Sequence, residues 1–127
     1  EFRRVLFRSG VPQMNVGIRT DILDNCLKKS GMIMAIRSLS PEVLICDEIG
    51  TKGDLEALNM AFNSGVNVIV TVHGYDIADV YGRAVFKDLI DNCILERIIL
   101  LSNRKGAGTI EKVYKVSRER GLQCLEI

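Results

Sequence analysis

The chain has 127 residues, of which 47% are hydrophobic and 26% are charged, and its formal net charge is +1. This size and composition predict one globular domain with an ordinary core. So small a net charge gives no support for a protein that binds nucleic acid or an anionic membrane surface. No apolar run approaches the roughly 20 residues that a membrane-spanning helix needs.

The first nine residues differ from the rest. Glu1–Ser9 lacks the pattern of a signal peptide and resembles a translated sequencing adapter, so we leave it out of the fold prediction as non-native. It holds three arginines against one acid, and without it the net charge falls from +1 to −1. Position 1 is also not methionine. We therefore expect residues 10–116 to be the carboxy-terminal part of a longer domain. The tail at residues 117–127 would be either a weakly ordered end or the start of a missing element.

Apolar periodicity and turn residues divide the chain into alternating strands and helices. In chain order, the predicted elements are a loop at Gly10–Arg19, a helix capped by Ser30 and ended by Ser40-Pro41, a strand at Val43–Asp47, a helix from Thr51 to Asn63 with Gly65 after it, a strand at Val66–Val72, a helical region at Asp76–Asn92 broken near Gly82, a strand at Arg97–Ser102, a turn at Asn103–Gly108 and a last strand at Thr109–Val116. Thr51 and Asp54 have the spacing of a capping box. The alternation predicts an α/β fold with a parallel sheet, flanking helices and a terminal β-hairpin.

The sequence Val-Leu-Ile-Cys-Asp-Glu-Ile-Gly at Val43–Gly50 is the most informative stretch. A continuous apolar run is typical of a strand buried on both faces. Two acids at its end are costly unless they bind a cation or are otherwise paired. The pattern fits the second acidic motif of a P-loop nucleotide hydrolase, in which Asp47 would help to hold hydrated Mg²⁺ and Glu48 would polarise the attacking water. A buried strand that simply leads into a polar loop fits these eight residues equally well.

Thr71-Val72-His73-Gly74 ends the next predicted strand in the same way. If the two strands are parallel neighbours, Thr71 and His73 lie at the same edge of the sheet as Asp47 and Glu48. There they would sense the γ-phosphate and orient water. Taken alone, the only histidine of the chain more often has a structural role. A zinc site is not expected, since one histidine without clustered cysteines gives too few ligands.

Arginines are the remaining candidates for phosphate contact, although each alone is more often a surface residue. They are Arg19, Arg37, Arg83 and Arg97. No segment matches the phosphate-binding loop G-x-x-x-x-G-K-[ST], and Lys105–Gly108 lacks its spacing and predicts a hairpin turn. Either that loop lies upstream of this chain or the nucleotide interpretation is wrong, and we expect the first.

Several motifs in order resemble one family, the stage III sporulation protein AA family of endospore-forming bacteria. They are Gly10–Gln13, Gly17–Asp24, Gly31–Gly50, Thr71–Gly74 and Leu101–Thr109. The chain is similar, more distantly, to the ATPases of type II and type IV secretion systems. By this resemblance Arg37, Glu48 and His73 fall on functional positions. Leu27 stands where we expect proline in the family, and Gly82-Arg83-Ala84 where we expect a basic-proline segment.

The resemblance implies a partial P-loop NTPase (RecA-like/AAA) fold. It implies ATP and Mg²⁺ as ligands, a homo-oligomeric ring, and membrane-embedded partners in the channel between mother cell and forespore. The location would be cytoplasmic, at the mother-cell face of the forespore membrane. In this reading Arg19 and Arg37 contact phosphate, within the subunit or across the ring interface. The parent protein would be an ATPase, and these 127 residues alone would be inactive.

Two other functions remain open. A non-hydrolysing, nucleotide-gated scaffold would use Asp47 and Glu48 structurally. A RecA-like motor that moves on DNA would need a basic surface. The net charge of −1 without Glu1–Ser9 is a weak argument against such a motor.

Overall fold

The computed structural model describes the backbone of residues 7–8 and 11–12, and the backbone and side chains of residues 17–23 and 26–126. The strands are β1 (Phe7–Arg8), β2 (Val11–Pro12), β3 (Val43–Cys46), β4 (Asn67–Val70), β5 (Arg97–Ser102), β6 (Thr109–Ser117) and β7 (Gly121–Leu125). The helices are α1 (Lys28–Met34), which continues into a π-helical turn at Ala35–Leu39, then α2 (Lys52–Asn63), α3 (Ile77–Tyr81) and α4 (Ala84–Asp91).

The helices follow their local sequence closely, with one exception. The Thr51 hydroxyl and the Asp54 carboxylate cap α2 as predicted, and Gly65 follows its end with φ +73°. The helical region breaks at Gly82 into α3 and α4. The predicted Ser30 cap is wrong, because α1 begins at Lys28, where Leu27 provides no side-chain cap. Ser30 therefore lies inside the first turn of the helix.

β3 and β4 form a parallel pair in which Val43 lies opposite Asn67 and Cys46 opposite Val70. One face of the pair packs against the core through Leu44, Cys46, Val68 and Val70. The other face is open, since Ile45 is 72% exposed and Ile69 57%. The parallel pairing is thus confirmed, whereas burial on both faces is wrong for the part of the chain that the structure describes.

The core lies between this pair and the helices. Its largest fully buried side chains are Leu58 on α2 and Leu89 on α4. Around them lie Met32, Ile49, Ala57, Phe86 and Ile94. The core thereby fixes α1, α2 and α4 against the inner face of the β3–β4 pair.

The predicted terminal hairpin is confirmed, whereas the predicted parallel pairing of its first strand is wrong. β5 has the predicted bounds and pairs antiparallel with β6, and among the described strands it does not join the β3–β4 pair. β6 also pairs antiparallel with β7. Of the two alternatives for the tail, the weakly ordered end is wrong, because Gly121–Leu125 forms β7. The fold is therefore mixed α/β, with a two-stranded parallel sheet and a three-stranded antiparallel sheet among the described strands of more than two residues.

Some predictions concern segments outside the described residues. These include most of the adapter segment and positions 9–10, 13–16 and 24–25. Within the predicted loop Gly10–Arg19, Val11–Pro12 pairs with Phe7–Arg8 as β2 and β1. In the described part of the chain no helix is both long and apolar enough to cross a membrane.

Candidate functional site

The ends of β3 and β4 are joined by a network centred on Thr71. The Thr71 amide donates to the Cys46 carbonyl at 3.2 Å, and the Thr71 carbonyl accepts from the Ile49 amide at 3.1 Å. Its hydroxyl donates to Asp47 Oδ1 and accepts from the Glu48 amide, the latter at 3.0 Å. One threonine therefore binds all three residues that follow Cys46.

This network contains a β-bulge at Glu48. In a parallel pair, alternate residues of each strand form hydrogen bonds with the partner strand. If the register of β3 and β4 continued, the Glu48 amide would donate to the Thr71 carbonyl. The Ile49 amide takes that position instead, and Glu48 adopts a left-handed φ of +55°. A bulge adds one residue to a strand and turns the following side chains to the opposite face.

The bulge decides where the carboxylate points. Strict alternation would put residue 48 on the core face with Leu44 and Cys46. The structure instead buries Ile49, which is 4% exposed, and leaves Glu48 exposed. The Glu48 Oε1 atom lies 3.2 Å from the Nε2 atom of His73, whose side chain is 86% exposed. A carboxylate and an imidazole thus meet at the solvent-facing edge of the sheet.

Two residues that sequence reasoning did not assign to the site bind the backbone at Glu48 and just after it. The Lys28 ammonium on α1 donates to the Glu48 carbonyl. The Asp54 carboxylate on α2 accepts from the amides of Gly50 at 2.9 Å and Thr51 at 3.1 Å. Lys28 is 20 positions from Glu48, so no local motif indicates the contact. The capping box did indicate Asp54, although only as a helix cap.

The charge of Asp54 is maintained by these contacts. Burial acts to raise the pKa of the Asp54 carboxyl. The hydrogen bonds from the Gly50 and Thr51 amides and the positive charge of Lys28 outweigh burial, and the pKa lies below its ordinary value. Asp54 is therefore an anion that holds the turn between β3 and α2.

The loop after β4 is fixed by an arginine. Arg83 donates to the His73 carbonyl at 2.7 Å and to Asp79 Oδ2 at 2.8 Å, and the Tyr75 amide donates to the same oxygen at 3.1 Å. These residues and Gly74 line a shallow pocket of about 290 Å³ beside His73. Arg83, which the sequence suggested for phosphate contact, thus holds the backbone that carries His73.

The structure brings together four of the six predicted site residues. Asp47, Glu48, Thr71 and His73 lie at one edge of the β3–β4 pair. Arg37 lies on the exposed π-helical turn and Arg19 in an exposed turn. Neither arginine has an ion pair or hydrogen bond with the other four within the described residues. Nor do three metal-ligating side chains converge anywhere in that part of the chain.

Comparison with known proteins gives one family. The family model described as "Sporulation stage III, protein AA" matches residues 6–123. Stage III sporulation protein AA of Bacillus subtilis (strain 168) is 46% identical over 105 residues, which cover 83% of this chain and 34% of that relative. The chain thus spans about a third of the length of the curated relative that it matches. No solved structure gives a significant match.

Proposed function

The chain belongs to the stage III sporulation protein AA family, and on that basis we propose that it is part of an ATPase that acts in sporulation. The observation that supports this most is the contact of 3.2 Å between Glu48 Oε1 and His73 Nε2 at the carboxyl ends of two parallel strands. Open α/β sheets bind their ligands outside these strand ends. The two side chains also face solvent, where a nucleotide has access.

In this proposal Glu48 orients the attacking water and accepts its proton. The bulge turns the Glu48 carboxylate towards solvent. The hydrogen bond of 3.0 Å from the Glu48 amide to the Thr71 hydroxyl fixes the backbone there. His73 contacts the carboxylate at 3.2 Å and would sense the γ-phosphate. Hydrolysis of an anhydride needs mainly positioning and charge stabilisation, and a fixed edge of this kind would supply the positioning.

The acid at position 47 fits a hydrated magnesium ion. Mg²⁺ in nucleotide sites uses one or two carboxylates and takes its other ligands from water and phosphate. Asp47 is such a single carboxylate, oriented by the Thr71 hydroxyl. When bound with ATP, the ion would neutralise charge on the phosphate oxygens.

The finer architecture is part of the same proposal. A P-loop NTPase sheet of the RecA-like or AAA kind would provide the phosphate loop from outside this chain, and the whole protein would assemble as a ring. Arg19 and Arg37 are exposed, which suits contact with phosphate across a subunit interface. The membrane partners would be channel proteins at the mother-cell face of the forespore membrane.

The test replaces Glu48 by glutamine in the complete protein. Glutamine keeps the size of the side chain but cannot accept the proton, and loss of a general base typically lowers turnover by about 10²–10⁴-fold. We expect kcat for ATP to fall in that range while nucleotide affinity changes less than about threefold. The matched control is Glu56→Gln, because Glu56 is an exposed acid paired with Lys29 outside the site. Hydrolysis that Glu48→Gln leaves undiminished would contradict the role of Glu48.

One observation favours the second candidate, a nucleotide-gated scaffold without hydrolysis. Within the described residues, the two arginines proposed for charge stabilisation form no ion pair or hydrogen bond with the acids and the histidine. A scaffold predicts that the complete wild-type protein binds ATP with no turnover above the rate of the Glu48→Gln variant. The ATPase proposal predicts a clear difference between the two proteins.

A further inference from the structure

Lys28 reaches the candidate site from α1, which precedes β3 in the chain. It is the first residue of this helix and is half-buried. Met32 lies four residues later, on the same face of the helix, and is buried in the core. The core therefore fixes the face of α1 that carries Lys28. From that face the ammonium donates a hydrogen bond to the Glu48 carbonyl.

The peptide group between Glu48 and Ile49 is held at both of its polar ends. Its N–H belongs to Ile49 and donates to the Thr71 carbonyl at 3.1 Å. In a trans peptide the C=O points opposite to the N–H, so the Glu48 carbonyl points away from β4. That carbonyl accepts from Lys28. Thr71 and Lys28 thus hold this one peptide group from opposite sides.

The same peptide group follows a backbone conformation that is unfavourable for glutamate. Glu48 has a φ of +55°, and a left-handed residue other than glycine costs free energy. A hydrogen bond from a charged donor contributes about as much as such a residue costs. The bond from Lys28 is therefore strong enough to decide whether Glu48 keeps the bulged conformation.

The neighbouring lysine gives α1 a separate attachment. Lys29 pairs with Glu56 on α2 at 2.5 Å. Together with the burial of Met32, this ion pair holds the helix against α2 and the core without involving the site. The bond from Lys28 consequently acts on the main chain at Glu48 rather than on the position of the helix.

We propose that Lys28 is a positioning residue for Glu48, through which α1 sets the direction of the Glu48 carboxylate. The ammonium holds the peptide group after Glu48, and the bulge keeps its left-handed residue. Glu48 Oε1 then stays 3.2 Å from His73 Nε2. This effect on the contact between Glu48 and His73 stands by itself, whereas an effect on catalysis rests on the proposed function.

Residue-resolved amide hydrogen exchange of the complete protein tests the structural part. Lys28→Met keeps a long unbranched side chain and removes the charged donor. The Ile49 amide reports on the held peptide group. The Thr71 amide, bonded to the Cys46 carbonyl at 3.2 Å, reports on the sheet as a whole. In Lys28→Met, exchange at Ile49 should become faster relative to Thr71 by roughly 10-fold or more, because a charged hydrogen bond no longer opposes local opening.

Two variants serve as controls in the same measurement. Lys29→Met removes a charge from the same turn of α1 and breaks only an exposed ion pair. It should leave the ratio of exchange at Ile49 and Thr71 within about twofold of wild type. Lys28→Arg keeps a charged donor and should also leave this ratio within about threefold of wild type.

Steady-state kinetics of the complete protein tests the catalytic part. A misplacement of about 1 Å can cost about 100-fold in rate, so kcat for ATP should fall by roughly 10- to 100-fold in Lys28→Met. KM should change less than about threefold, because Lys28 acts through Glu48. Lys28→Arg should recover most of the rate, and Lys29→Met should hydrolyse ATP as wild type does.

The possible outcomes separate this proposal from the ATPase proposal. An unchanged exchange ratio in Lys28→Met would overturn it, and equal acceleration in Lys29→Met would show that both lysines merely attach α1. Faster exchange at Ile49 without a loss of kcat would overturn the role in catalysis, and a rise in KM alone would show contact with the nucleotide instead. If wild type has no turnover above Glu48→Gln, the ATPase proposal fails, and exchange at Ile49 decides on Lys28 by itself.

Discussion

Replacing Asp54 by alanine should weaken the whole turn between β3 and α2. The residue is 3% exposed, and its carboxylate accepts from the amides of Gly50 and Thr51 at 2.9 and 3.1 Å. Removing a cap costs about 1 kcal/mol, and a hydrogen bond to a charged group contributes about 1.5–3 kcal/mol. Since Gly50 and Thr51 are exposed, water replaces part of what is lost. We therefore expect the free energy of unfolding to fall by about 2 kcal/mol.

Urea unfolding of the 127-residue chain at neutral pH, followed by circular dichroism, measures the change. With a slope of about 2 kcal/mol per molar urea, the midpoint should fall by about 1 M. The control is Glu56→Ala on the same helix, where the acid forms an exposed ion pair with Lys29 at 2.5 Å. Such pairs contribute about 0–1 kcal/mol. If Asp54→Ala shifts the midpoint no further than Glu56→Ala, the stabilising role assigned to Asp54 is refuted.

The same residue gives the sign of a pH dependence. The pKa of Asp54 in the folded chain lies below its ordinary value of 3.8. Relative to the protonated form, the carboxylate form of Asp54 is therefore more stable in the folded chain than in the unfolded chain. This stabilisation is fully present above pH 3.8 and is lost as the pH falls through the folded pKa. The difference in unfolding free energy between wild type and Asp54→Asn should accordingly be largest near neutrality and shrink in acid.

Two further predictions concern the bulge. Glu48→Gly should be more stable than Glu48→Ala by about 0.5–1 kcal/mol in urea unfolding. A left-handed residue other than glycine costs about 1–2 kcal/mol, and the greater backbone entropy of unfolded glycine offsets part of this difference. Equal stability of the two variants would show that φ at position 48 is not left-handed in solution. Thr71→Val should lower the unfolding free energy by about 1 kcal/mol through loss of its hydroxyl bonds, whereas Thr71→Ser retains them, and equal midpoints for the two variants would contradict the network.

Local chemistry explains which parts of the fold were predictable. The capping box at Thr51 and Asp54 marks the start of α2, and the left-handed Gly65 follows its end. The predicted ends of this helix therefore lie within one residue of the observed ends. Family membership likewise followed from ordered motifs, and the match over residues 6–123 confirms it. The site edge followed from topology, because parallel neighbours end on the same side and bring His73 to Glu48.

Non-local choices explain the rest. The alternation of strands and helices predicted that Arg97–Ser102 would join the parallel sheet, whereas among the described strands it pairs only with β6, in the hairpin that the turn residues predicted. β7 was missed because its alternation is short, although Arg118–Arg120 followed by Gly121 with φ +64° has the character of a hairpin turn. Lys28 was missed because its contact to the Glu48 carbonyl depends on where α1 packs.

The bulge at Glu48 joins these two kinds of information. Its sequence is an acid pair followed by isoleucine and glycine. In a regular strand, alternation would place the Glu48 carboxylate on the core face and the apolar Ile49 side chain in solvent. Burying a carboxylate there costs far more than the 1–2 kcal/mol of one left-handed residue. The chain therefore inserts the extra residue, buries Ile49 and presents Glu48 to His73. Backbone strain at this point costs less than a buried carboxylate, and it also leaves that carboxylate exposed beside His73.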